Sequence, residues 1–332
     1  MWGNLPYYPI SHFYKEFFGE RVYKVSVNVA GSCPVRGGDG SRVCIFCDEW
    51  GSASFYANGQ QQLTEQIDQG RARIKRRYKA ERFLVYFQSY TNSFDRVSQL
   101  AARFETALSR PDVVGLVVGT RPDCLPQRLM PVLRKFTERT WVMVELGAQS
   151  FFDPQLQFLR RGHDVACTIA GIHRLARETG VAVGLHLMFG LPGETDADVV
   201  ATAHIINDLP VHNVKLHNLH VLTGTPLAEL YARGDFEPIS LEDYARRVVL
   251  FLRHLAPHIA VQRLAASANR WDELVAPAWT RQKMAPTQFI RDRMRLASAV
   301  QGQDARPVPR VPPSGNPSPF FSSAEQFPPK LL

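Results

Sequence analysis

With 332 residues, 45% of them hydrophobic, and a net charge of +8, the chain is long enough to bury a full core and is ordinary in composition. Its longest apolar stretches, Val113 to Gly119 and Val181 to Leu191, fall short of a membrane span, and Met1 to Ser11 lack the regions of a secretory signal; a cytoplasmic protein without membrane contact is expected. Five cysteines, an odd number, with two of them separated by only two residues, do not make a disulfide framework, so reduced thiols are expected.

The first 21 residues read as an N-terminal arm. From Val22 to Leu264 strand-like apolar runs alternate with helix-like segments, the pattern of repeated βα units around a parallel sheet. Strands are predicted at Val22 to Val29, Phe83 to Gln88, Val113 to Gly119, Trp141 to Gly147, Val181 to Phe189 and Asn213 to Val221, with Ile259 to Leu264 as a closing strand or an edge. Leu63 to Tyr78, Arg96 to Leu108 and Asp164 to Thr179 carry apolar residues every three and four positions and read as helices. Another helix begins after Gly193, where Thr195 followed by Asp198 is a weak capping box. Residues 265–300 read as a helical extension and 301–332 as a tail, whose Pro- and Ser-rich stretch Arg306 to Lys330 is expected to be disordered. Part of the positive charge gathers in Arg71 to Arg82 and Arg281 to Arg295, which permits RNA binding without requiring it.

The cysteines that bear on function follow the first predicted strand, where parallel α/β folds place their chemistry. Cys44 and Cys47 can ligate one centre together, and Gly37, Gly38 and Gly40 let the loop bring Cys33 back to it. Thiolates suit zinc and iron-sulfur clusters alike. A structural zinc site closes with four protein ligands, yet Asp48 to Gly51 supply no Cys or His; three thiols would leave one iron of a cluster open. A zinc knuckle completed by a distant His is the other reading.

The spacing Cys33-x10-Cys44-x2-Cys47, with Phe46 before the last cysteine, resembles the radical S-adenosylmethionine (SAM) superfamily. It is similar to an uncharacterised family within it, related to the elongator catalytic subunit and oxygen-independent coproporphyrinogen oxidase. The likeness covers about residues 14 to 265 and implies an α/β fold, a partial (β/α)6 TIM-like barrel open on one side. It also implies a 4Fe-4S cluster on Cys33, Cys44 and Cys47, SAM on the open iron, and an external electron donor of the flavodoxin or ferredoxin type.

Further elements of the likeness fall at successive strand ends. Gln88, Ser89, Tyr90, Thr91 and Asn92 stand where the superfamily has a Gly-Gly-Glu turn for the amino group of SAM, although the glycines are missing. Gly119-Thr-Arg121-Pro-Asp123-Cys124 resembles the Thr-Arg-Pro-Asp element of elongator-type enzymes. There Arg121 could clamp a carboxylate or phosphate, or simply pair with an Asp123 that caps the next helix. Cys124, at the expected barrel mouth, could donate a hydrogen atom or be an inert buried thiol. Glu145 and Gln149 take the ribose positions, and Arg161, preferred to Arg160, the carboxylate position. An ionisable Glu145 inside an apolar strand would be costly without a partner.

On the fifth strand, Leu187 lies where backbone runs along the adenine. His186 alternates away from Leu185 and Leu187, as an interior contact or a satisfied core histidine. His217 and His220, three apart on a strand, are expected on opposite faces. Only Cys124 and Cys167 remain for a second cluster, which disfavours one. What the resemblance implies is reductive cleavage of SAM to a 5'-deoxyadenosyl radical that takes a hydrogen from an RNA-linked or small-molecule substrate. The competing class is a zinc-stabilised α/β protein that binds nucleic acid through the basic helix Arg71 to Arg82.

Overall fold

Seven strands make one parallel sheet whose order nearly follows the chain: β1 (Val22–Val27), β2 (Arg82–Phe87), β3 (Val113–Thr120), β4 (Trp141–Gln149), β5 (Ala182–Phe189), β6 (Asn213–Asn218) and then β8 (Ala260–Arg263). The structure is a computed structural model and describes residues 2–36, 44–49, 51, 57–268 and 270–307. Strands β7 (Val221–Leu222) and β9 (Leu274–Ala276) form a separate antiparallel pair. Among the described residues no helix is long and apolar enough to cross a membrane.

Parallel neighbours need crossovers, and helices supply them. In chain order these are α2 (Leu63–Tyr78), α3 (Val97–Leu108), α4 (Met130–Thr137), α5 (Asp153–Phe158), α6 (Val165–Thr179), α7 (Asp196–Asn207), α8 (Pro226–Ala232) and α9 (Leu241–His254); α1 (Ile10–Phe18) precedes the sheet and α10 (Ala285–Leu296) follows it. The outward positions of the strands, among them Val25, Val85, Leu116, Val144, Val183 and Val214, join Ile67, Phe104, Leu133, Ile172, Ile206 and Phe251 of the helices in one core. Strands buried on both faces explain the near-continuous apolar runs in the sequence.

On the inner face a smaller cluster unites Leu84, Val117, Trp141, Met143 and Ala182 with Tyr14 and Phe18 of α1. Tyr14 meets the Trp141 ring edge-on at 5.7 Å. The arm expected over residues 1–21 is thus a plug that closes the amino end of the barrel and leaves the carboxyl end open.

Helix α2 has the predicted bounds, and α6 begins one residue later because Asp164 is its N-cap, accepting from Cys167 N–H at 2.7 Å. At α7 the capping box is complete: Thr195 Oγ1 accepts from Asp198 N–H at 3.2 Å, and Asp198 accepts from Thr195 N–H at 2.8 Å. Thr195→Ala is expected to cost about 1 kcal/mol in urea denaturation; an unchanged midpoint would show that the cap carries no stability.

The sixth strand stops three residues short of the predicted Val221. Asn218 Oδ1 accepts from Ala266 N–H at 2.9 Å, and the chain then turns to pair Val221 with Ala276. The run at 259–264 becomes β8, a seventh strand at the edge. The segment 265–300 is not helical throughout, since it holds β9 before α10, which packs Ile290 and Met294 into the main core. Gln301, placed at the start of the tail by the sequence, is buried and donates to the Ala256 and Ile259 carbonyls at 2.9 and 2.8 Å. Gly37, Gly38 and Gly40 and residues 308–332 of the tail lie outside the described residues.

Candidate active site

Inward positions of β4 run from the plugged end to the open end as Trp141, Met143, Glu145, Gly147 and Gln149, so the barrel interior turns from apolar to polar along its axis. Above Met143 lies a cavity that opens at the carboxyl ends of the strands, and Cys33, Cys44 and Cys47 all line it.

Side chains orient two of the thiols. Thr91 Oγ1 donates to Cys33 Sγ at 3.1 Å, and Arg161 Nη1 donates to Cys44 Sγ at 3.3 Å. Arg161 also donates to the Gly147 carbonyl at 2.9 Å and lies over the Phe46 ring at 5.9 Å. Burial pushes the Cys47 thiol up to about 11, with Asp48 and Cys44 adding to it. Among the described residues no three His, Cys, Asp or Glu side chains converge as one metal ion would need. Three thiols sharing a cavity wall are a donor set that a 4Fe-4S cluster takes, and zinc also accepts thiolates.

The rest of the wall fits a polar ligand. Gln149 Oε1, Arg161 Nε, Asn218 Nδ2 and His220 Nε2 are buried without hydrogen-bond partners among the described residues, and all four side chains line the cavity. Unmet buried donors and acceptors are costly, and a ligand rich in hydroxyl, amino and carboxylate groups would satisfy them. His217 and His220 both line this wall, not opposite faces, because β6 ends between them.

The turn after β2 lacks glycine yet keeps a left-handed residue, Tyr90, at φ 54°. Its N–H donates to the Gly51 carbonyl at 3.0 Å, and its ring packs where a Cβ on Gly51 would stand, 2.4 Å from Tyr90 Cδ1. Gln88 and Tyr90 face the cavity. Ser89 and Asn92 do not: Ser89 bonds Asn28, while Asn92 Nδ2 donates to the carbonyls of Phe87, Ser89 and Gly119 at 2.9, 3.1 and 3.0 Å. They shape the turn and leave ligand contact to their neighbours.

Arg121 is not free to clamp a substrate. Its fork is held by Asp123 through two bonds of 2.9 Å and by the Arg161 carbonyl, with Nη1 reaching Cys44 Sγ at 3.8 Å. It positions the Cys44 wall, and Asp123 pairs with it instead of capping a helix. Cys124 lines an outer cavity with Cys167 of α6 and not the mouth cavity, although its thiol still senses Arg121 and Cys33. Burial, then Asp123, pushes its thiol up to about 12. It thus stands behind the Arg121 wall of the mouth and not on it. Leu187 is fully buried in the outer core, so only its backbone borders the interior.

Glu145 is engaged more fully than a ribose ligand could be. Its carboxylate, with no exposed side-chain surface, accepts from Lys24 Nζ at 2.6 Å, His186 Nε2 at 2.6 Å and Lys215 Nζ at 3.3 Å. Burial pushes its carboxyl up, but Lys215, Lys24 and His186 together hold it well below the usual carboxylate range. Burial and Lys215 lower His186 to about 4, so a neutral imidazole donates to Glu145. His186 does face the interior, and its ring lies 5.4 Å from that of His217. Burial lowers Lys215 to about 7 against the pull of Glu145. Lys215 also donates to Tyr86 Oη at 3.1 Å, while Arg263 reaches the His217 ring.

Thr91 falls within the expected turn, whereas Lys24, Tyr86, Lys215 and Arg263 were not singled out from sequence. The signal existed for the two lysines: each is a charged residue inside a predicted apolar strand, the same anomaly that marked Glu145.

The model of the radical SAM superfamily matches residues 27–206, and that of the radical SAM C-terminal domain matches 211–295. The chain belongs to the radical SAM superfamily. Protein YhcC of Escherichia coli K12 is 36% identical over 301 residues, covering 90% of this chain and 94% of that one. The tRNA uridine(34) acetyltransferase of Methanocaldococcus infernus is 34% identical over 157 residues, 46% of this chain and 28% of its own length. The structure of archaeal Methanocaldococcus infernus Elp3 with an N-terminal deletion superposes with a TM-score of 0.65 at 17% identity, over 84% of this chain and 64% of that one, a likeness of fold. Membership of the radical SAM superfamily, whose members carry a 4Fe-4S cluster and use SAM, favours that chemistry over the zinc-stabilised binding protein.

Proposed function

We propose that the chain is a radical SAM enzyme in which Cys33, Cys44 and Cys47 hold a 4Fe-4S cluster with one iron open to SAM. The observation that carries this reading is the cavity itself, where three thiols and four unmet polar atoms share one wall at the strand ends. When bound, cluster and SAM supply a 5'-deoxyadenosyl radical for hydrogen abstraction, on an electron from a flavodoxin- or ferredoxin-type donor.

The protein's own part is orientation. Arg161 offers its free Nε to a carboxylate and Gln149 its Oε1 to a hydroxyl or amino group, while Gln88 and Tyr90 stand across the mouth. Helix α1 covers the inner apolar residues at the opposite end with aromatic rings. Neutral His186 faces the space beneath, held by Glu145, as a substrate contact.

Anaerobic reconstitution with iron and sulfide should give a brown protein that converts SAM to 5'-deoxyadenosine with dithionite. A colourless protein with one bound zinc would sink the proposal. An RNA-linked substrate is a second reading, favoured by the exposed Lys75, Arg76, Arg77 and Lys79 at the end of α2 and by the partial match to a tRNA-modifying enzyme. Arg71 and Arg82 contribute less to it, being paired with Asp112 and Glu20.

A further inference from the structure

A second cavity borders the barrel interior. Strands β1 and β8 are the two ends of the sheet and do not pair with each other among the described residues. Lys24 of β1 donates to Gln262 of β8, and Pro9, ahead of α1, bridges to Val261. A lateral cavity runs inward beside α1, and Tyr86, Gln88, Lys215 and Arg263 line both it and the mouth cavity. The two cavities thus share these four side chains as a common wall.

Its charge is one-sided. Lys15, Arg21, Lys24, Lys215 and Arg263 line the lateral cavity, and among its described lining residues there is no Asp or Glu. Further in, Glu145 is the one carboxylate facing Lys24 and Lys215. Arg263 forms no ion pair among the described residues; its donors go to the Leu216 carbonyl at 3.3 Å and to the His217 ring. Lys24 and Arg263, joined by Lys215 below about pH 7, face one carboxylate and leave net positive charge inside a barrel, where unpaired charge is expensive. The neutral rings of His186 and His217 do not offset it.

We propose that the substrate carries an oxyanion, a carboxylate or phosphate, which enters between β1 and β8 and is held by Arg263 and Lys215 on the barrel floor. The proposal rests on reading the interior as the substrate chamber of a radical SAM enzyme. A guanidinium fork matches the paired oxygens of either group, and the ammonium adds a compact charge beside it. Cationic walls along the lateral path steer an anion inward.

The test is calorimetric titration of the full chain, without cluster or SAM, at fixed ionic strength, using inorganic phosphate, succinate and L-methionine as probes. Phosphate or succinate should bind saturably at one site per chain, and whichever binds tells phosphate from carboxylate. Loss of a charge-assisted contact in Arg263→Gln or Lys215→Met should weaken that binding roughly 10- to 100-fold. Arg263→Lys, which keeps charge and loses the fork, should fall between, and it carries the comparison if Arg263→Gln does not fold by circular dichroism.

Absence of saturable binding of both anions, or binding unaltered in both variants, overturns the proposal. So does L-methionine binding that Arg263→Gln weakens equally, because the site would then belong to the cofactor. Iron content after reconstitution is read separately. A cluster without anion binding defeats this proposal alone, whereas anion binding without a cluster defeats the radical reading alone.

Discussion

Cys44→Ala is expected to abolish cluster assembly while leaving the barrel folded. Cys44 is buried at the mouth, with Arg161 Nη1 at 3.3 Å and Arg121 Nη1 at 3.8 Å from its sulfur, and none of the seven strands depends on it. Removing one sulfur from a buried site costs about 1 kcal/mol or less, well within what a domain of this size tolerates. Its loss as a ligand is decisive, because Cys33 and Cys47 alone cannot hold a 4Fe-4S cluster.

After anaerobic reconstitution the variant should retain almost no iron or sulfide and make no 5'-deoxyadenosine, with an unchanged far-ultraviolet spectrum. Cys124→Ala is the companion, since Cys124 lines the outer cavity and its loss should leave iron content intact. Equal iron loss in both variants would put Cys124 back at the site. Collapse of the fold in Cys44→Ala would instead favour a structural metal.

The strands were legible because both of their faces are buried, and α2 and α6 because their apolar residues keep one side. The thiols were legible through spacing, since Cys33, Cys44 and Cys47 lie close in sequence on the connection after the first strand. What resisted was side-chain pairing across the barrel. Arg121 and Asp123 are two residues apart, and their mutual capture was visible as one of two readings. By contrast, Glu145 meets Lys24 across 121 positions and Lys215 across 70, which no local pattern encodes. The placement of Cys124 was lost for a related reason: it lies in the short 3-10 turn Pro122–Cys124, beyond the reach of strand alternation. Strand alternation predicted the inward face of His186 and failed for His220, where the strand had already ended.

Glu145→Gln is expected to destabilise the chain by about 3–5 kcal/mol at its worst, the cost of leaving buried cations without their counter-charge. The two oxygens of Glu145 serve three donors, and an amide would turn an N–H toward one of them. The size of the loss should depend on pH in a way that simple misfolding would not. Glu145 is held well below its ordinary 4.5, so its stabilisation is present above that value and lost as pH falls toward the lower folded value.

Lys215 acts in the other direction. Burial depresses it from 10.5 to about 7 against Glu145, so the folded state binds fewer protons than the unfolded chain between those values, and stability rises with pH there. Without Glu145 the lysine gives up its proton at still lower pH and relieves part of the variant's deficit. In urea denaturation the gap between wild type and variant should therefore open from about pH 3 to about pH 5 and narrow again by about pH 8. A gap of one size at all three pH values would mean that the residue acts through shape and not charge, and the buried cations would need another partner.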